Sequence, residues 1–183
     1  MNGPIPFQMI LYINLCYKIK TCQRLNSNAF KYITDPAHLP CIHSSPIFSG
    51  GEPTNAQADM QSKLSKHEWK AQWSPIDDEG QTHRAVASLE HKMNLYWPWK
   101  VTLFKLDVIG DQIGPSIVHL GFESNSYFGG KAVMIQYILP IEPMLQKVVH
   151  VFYAEPKWHS WYAKMVLWGE SILFERDVRV WNR

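Results

Sequence analysis

From His67 to Tyr153 the chain runs through six stretches in which apolar and polar residues alternate or β-branched residues concentrate: HEWKAQW, RAVASLEHKMNLY, VTLFKLDVI, SIVHLGF, AVMIQYILP and LQKVVHVFY. A period of two puts alternate side chains on opposite faces, so each stretch predicts a strand. PIDDEG, WPW, GDQIGP and NSYFGG interrupt them with the Gly, Pro, Asn and Asp that tight turns use, and predict an antiparallel sheet of about six strands. After Pro156 the period changes. Trp158, Trp161, Met165, Trp168 and Ile172 recur every three or four residues, which predicts a long C-terminal helix packed on the sheet through that stripe. The fold class expected is α+β, with a cavity between sheet and helix suited to apolar ligands.

Before His67 the pattern is weaker. Residues 1–30 lack clear periodicity and carry no assignment, residues 31–50 hold a dense Pro/His/Cys cluster, and residues 51–66 read as a polar loop. Ile5 to Leu15 is apolar, yet at about eleven residues it falls short of the roughly 20 that span a bilayer, so a buried or interfacial segment is expected. Basic residues do not precede it and a small-residue cleavage site does not follow it, against a signal peptide.

Composition narrows the function classes. The 183 residues, 46% hydrophobic with eight Trp, eight Tyr and eight Phe, suit one packed domain. The 18 basic and 16 acidic side chains are scattered, so the electrostatic footprint of nucleic-acid binding is absent. Cys16, Cys22 and Cys41 form neither a disulfide framework nor a zinc spacing.

The chemistry concentrates in Asp35-Pro-Ala-His38-Leu-Pro-Cys-Ile-His43. Two neutral imidazoles and one carboxylate on a ferrous ion leave open positions where dioxygen and substrate meet, the triad of non-heme iron oxygenases. Residues five apart diverge by roughly 140° on an ideal helix, so His38 and His43 would converge only if Pro40 breaks the helix between them. Two other readings use the same residues. Asp35-Pro36 is a good helix N-cap and first position, with the histidines as hydrogen-bonded loop groups. Cys41-Ile-His43 has the spacing of half a Rieske cluster site, but the second Cys/His pair that such a site needs is missing.

DPAHLPCIHSSPIFSG, GPSIVHLGF, LPIEPMLQKVVHVFYAEP and VLWGESILFERDVRVWN, in that order, resemble the catalytic domain of the cholesterol 7-desaturases, the Neverland family of Rieske oxygenases. The resemblance implies a helix-grip (START-like) catalytic domain over residues 31–183, shorter than its relatives at the C-terminus and without their Rieske [2Fe-2S] domain. It implies that His38 and His43 hold a mononuclear Fe(II), with Asp177 of the Phe174–Asp177 FERD sequence as third ligand and Glu170 and Glu175 as rivals on the same helix. Asp35 then corresponds to the catalytic bridge that passes electrons from a neighbouring subunit's [2Fe-2S] cluster. A sterol substrate, an NAD(P)H-dependent reductase, a homo-oligomer (a trimer in the family) and association with the endoplasmic reticulum membrane follow by the same resemblance. A chain without cluster ligands is expected to be electron-starved by itself. The rival function is a non-catalytic lipid-binding helix-grip module. His67, His83, His91, His119, His150 and His159 are expected to be structural, the WPW to be a turn packed on the sheet, and Trp158, Trp161 and Trp168 to be core.

Overall fold

A computed structural model describes residues 8–18, 39–44, 65–96, 98–125, 127, 129–142 and 145–181. Its strands are β1 (Gln8–Lys18), β2 (Ser65–Pro75), β3 (Arg84–Tyr96), β4 (Lys100–Ile113), β5 (Ile117–Ser124), β6 (Lys131–Glu142) and β7 (Leu145–Ala154). One helical turn, α1 (Leu39–Ile42), precedes β2, and the long helix α2 (Ser160–Trp181) ends the fold. All seven strands form one antiparallel sheet in the order β1-β7-β6-β5-β4-β3-β2. The architecture is the expected α+β one, a sheet packed on one helix.

Strands β2 to β7 are the six that alternation predicts, joined as consecutive neighbours. Gly80 and Gly114 turn the chain at φ 83° and 59°, a region that residues with a Cβ enter at a cost. The seventh strand is the apolar segment near the start of the chain, which pairs with β7 from Gln8 to Lys18. Its alternation is weak because a mostly apolar run lacks the period of two, and only the pairing partner makes it a strand.

The concave face of the sheet is built in cross-strand rows. One runs Ala71, Leu89, Val108, Phe122, Ala132 and Ala154; the next runs Trp73, Ala87, Gly110, Leu120, Met134 and Phe152. On these rows Phe122, Met134, Phe152 and Ala154 are almost wholly buried, packed against Trp158, Tyr162, Ala163 and Leu167 at the start of α2. Phe152 meets Phe122 and Trp158 at centroid distances of 5.9 and 5.3 Å, and burying each such side chain stabilises by about 1.5–3 kcal/mol. The first half of α2 therefore seals the core. Its second half, from Glu170 onward, borders open space.

The helix is rotated from the expected stripe. Trp158 is core, but Trp161 and Trp168 are 53% and 39% exposed, and the buried face is Tyr162, Ala163, Leu167, Phe174 and Val178. Stepping one residue along a helix turns the face by 100°, and the spacing of the tryptophans cannot say which of two neighbouring stripes meets the sheet. Substituting Trp161 by Gln should accordingly change the unfolding free energy by less than about 1 kcal/mol in urea melts, as for other surface positions. A loss above about 2 kcal/mol would return that stripe to the core. Trp99, expected to pack on the sheet, is 78% exposed.

Candidate metal centre

His43 follows directly on α1, its backbone N–H donating to the Leu39 carbonyl at 2.9 Å. Pro40 does not break a helix between two ligands, as the sequence suggested. It lies in the first turn of α1, where its missing N–H costs nothing and its fixed φ suits the helix. Asp35 and His38 lie outside the described residues, and with them the Asp35-Pro36 cap.

His43 is 1% exposed, and its Nε2 lies 2.9 Å from Oδ1 of Asp177 on α2. The turn that carries His43 is fastened to the edge of the sheet. Trp69 of β2 donates its indole N–H to the His43 carbonyl at 3.1 Å, and the His67 N–H donates to the Ser44 carbonyl at 3.3 Å. The Trp69 ring also meets the His43 ring edge-on at 6.3 Å. Sheet and helix thus hold the two donor atoms together from opposite sides.

Within FERD, alternate residues have different partners. Phe174 and Arg176 are buried, Asp177 meets His43, and Glu175 accepts from Arg179 one turn on at 2.7 Å. Glu170 lines the same cavity as His43 and Asp177, and burial, with Asp177 nearby as the lesser cause, raises its carboxyl to about 7.

Two histidines expected to be structural belong to this neighbourhood. Nδ1 of His67 and Nε2 of His91 are 2.6 Å apart, and the His91 ring stacks on Trp69 at 3.9 Å and 3°. Burial, and then the charges of Arg176 and His43, lower His67 to about 4; burial and the two neighbouring histidines hold His91 well below its ordinary value. Both therefore stay neutral at pH 7, stacked beside the Trp69 ring that meets His43. A period of two would have put His67, Trp69 and Trp73 on one face, but placing His91 against Trp69 requires the register of β2 with β3.

The cavity between sheet and second half of α2 has a volume of about 150 Å³. Its wall is chiefly apolar, with Leu39, Leu89, Val108, Leu120, Leu173 and Phe174, while His43, Asp177, Glu170, Gln112 and Gln136 supply polar groups. Cis ligands of an octahedral ion with bonds of about 2.1 Å lie √2 times that apart, about 3 Å. The 2.9 Å between His43 and Asp177 matches such an edge, and imidazole with carboxylate is the donor set that ferrous iron takes, so the two residues fit the metal. Among the described residues, groups of three or more His, Cys, Asp or Glu able to hold a metal are absent.

Comparison with known proteins adds ancestry to this geometry. No family model matches the chain. Curated relatives do: it is 45% identical over 148 residues to cholesterol 7-desaturase of Drosophila melanogaster, covering 81% of this chain and 32% of that protein. Cholesterol 7-desaturase of Xenopus laevis is 34% identical over 148 residues, with the same shares, and that of Caenorhabditis elegans is 30% identical over 150 residues, covering 81% and 34%. The chain spans about a third of the length of the curated relatives it matches. Over that third, the chain is similar to the cholesterol 7-desaturases.

Proposed function

We propose that the chain is the iron-binding catalytic part of a sterol 7-desaturase, in which His38, His43 and Asp177 hold a mononuclear ferrous ion at the wall of the sterol cavity. The observation that carries this reading is the buried approach of His43 to Asp177, 2.9 Å apart beside a mainly apolar cavity. The similarity to cholesterol 7-desaturases supports the substrate class.

With the metal bound, desaturation would remove two hydrogens from adjacent sterol carbons while dioxygen goes to water, two further electrons coming from NAD(P)H through a reductase and a Rieske [2Fe-2S] cluster. The chain's own residues do the rest. His43 and Asp177 would fix the metal from sheet and helix at once, and Trp69 and the His67 N–H hold the His43 turn to β2. Neutral His67 and His91 flank the site without adding positive charge. Leu89, Val108, Leu120 and Phe174 take the apolar ligand surface. A cavity of about 150 Å³ is smaller than the roughly 300–1,000 Å³ of ligand clefts, so it accommodates one part of a sterol rather than the whole.

Asp35 would receive electrons from a neighbouring subunit's cluster, which implies a homo-oligomer. Membrane association is proposed on the same family ground; among the described residues, no helix is long and apolar enough to cross a membrane. The test is turnover. Supplied with iron, dioxygen, a reductase and a full-length desaturase subunit whose own iron ligands are disabled, the chain should convert cholesterol to 7-dehydrocholesterol, and Asp35→Ala should abolish conversion. Sterol binding without iron uptake or turnover would favour the non-catalytic lipid-binding module.

A further inference from the structure

One row of the concave face differs from its neighbours. Ala85, Gln112, Val118, Gln136 and His150 lie opposite one another across β3 to β7, and three of the five are polar, where the two rows described above are almost entirely apolar. All three are buried, at 6%, 7% and 0% exposure. Gln112 and Gln136 line the cavity that His43 and Asp177 border.

Their hydrogen bonding is incomplete in a directed way. The Gln136 amide donates to Nδ1 of His150 at 3.4 Å, and burial lowers His150 to about 4, so the ring is neutral and carries its proton on Nε2. Phe174 closes over that ring edge-on at 5.9 Å. Among the described residues, neither Nε2 of His150 nor Oε1 of Gln112 has a hydrogen-bond partner. A buried amide oxygen with no protein partner destabilises the fold, and methionine would fill the same volume without that cost. A ligand group that can donate would satisfy it.

We propose that Gln112, beside the Gln136–His150 pair, receives the hydroxyl of the sterol whose hydroxyl-bearing end occupies the cavity. The proposal rests on the sterol reading above and adds how the substrate is oriented. A sterol's single hydroxyl donates to Gln112 Oε1, while Gln136, held by His150, is a positioning residue that keeps the polar row in register. Fixing the one polar end of an otherwise featureless ligand decides which ring edge faces His43 and Asp177. Apolar walls alone cannot make that choice, because they contact every orientation about equally.

The test uses three ligands on the 183-residue chain, with binding read from quenching of the tryptophans, of which Trp69 and Trp73 line the cavity. Cholesterol carries the hydroxyl, cholest-5-en-3-one can only accept, and cholest-5-ene has no polar group. The unmutated chain should bind cholesterol about 10-fold to 100-fold more tightly than either of the others, the range for pairing a buried acceptor. Gln112→Met should erase that preference while keeping the affinity for cholest-5-ene and the circular dichroism of the fold. Should Gln112→Met not fold, the ligand series on the unmutated chain still decides, and Gln136→Met offers a second variant in which the preference should shrink. Saturable binding of all three ligands with equal affinity overturns the proposal and leaves the sterol reading standing, as does a preference that survives Gln112→Met. Absence of saturable binding by all three overturns both.

Discussion

Replacing Asp177 by alanine should weaken ferrous-iron binding by more than about 100-fold, with His43→Ala doing the same. Removing a group that merely supports a metal ligand already costs 10-fold to 100-fold, and deleting a ligand removes both a bond and part of the chelate. Because His43 follows α1 and Asp177 lies on α2, neither can be replaced by a neighbour without moving the backbone. Glu175→Ala is the matched control on the same helix, since that carboxylate pairs with Arg179. Glu170→Gln separates the remaining alternative. Iron titration by calorimetry under anaerobic conditions, with circular dichroism to verify folding, reads all four variants. If Glu170→Gln loses iron and Asp177→Ala keeps it, the third ligand is Glu170 and the reading of FERD fails.

Acidification should destabilise the iron-free chain steeply, by several kcal/mol between pH 7 and pH 4. His67 and His150 both fall to about 4 in the fold from an ordinary value of 6.5, each chiefly through burial, and His91 falls in the same direction. In this window the unfolded chain binds protons that the folded chain refuses, so stability present above pH 6.5 is lost as pH falls towards 4. The fall from 6.5 to about 4 corresponds to about 3 kcal/mol for each of the two. Glu170 works against them. Raised to about 7 from 4.5, its carboxyl is protonated in the fold first, so it adds stability as pH drops from about 7 to 4.5. The net sign follows from three buried histidines against one carboxyl. Urea melts at pH 7, 5.5 and 4 measure the slope, and His150→Phe, which cannot take up the proton when unfolded, should flatten it by about one histidine's share. Equal stability at all three values would mean that these rings are hydrated in solution, contrary to the packing.

The residues divide by how much of this was written locally. The six alternating runs from His67 onward carried β2 to β7, because a half-buried strand imposes a period of two on its own sequence. The FERD sequence and the spacing of His38 and His43 likewise marked candidate ligands through their resemblance to a family, with no knowledge of contacts. Other features had no local signature. Gln8–Lys18 became a strand only through its pairing with β7, the stripe through Trp161 and Trp168 lost to one turned by 100°, and Pro40 opened a helical turn in place of breaking one. His67 and His91 read as ordinary strand histidines until the β2–β3 register stacked them with Trp69 behind His43. The same holds for Gln112 and Gln136, separated by 24 positions and joined by the pairing of β4, β5 and β6. Sequence alone determined which segments alternate, which one is helical and which residue types could bind a metal, since these depend on neighbours within a few positions. Tertiary structure decided which faces met and which distant donors came within 3 Å, because strand register and helix rotation are fixed only when the whole concave face is buried at once.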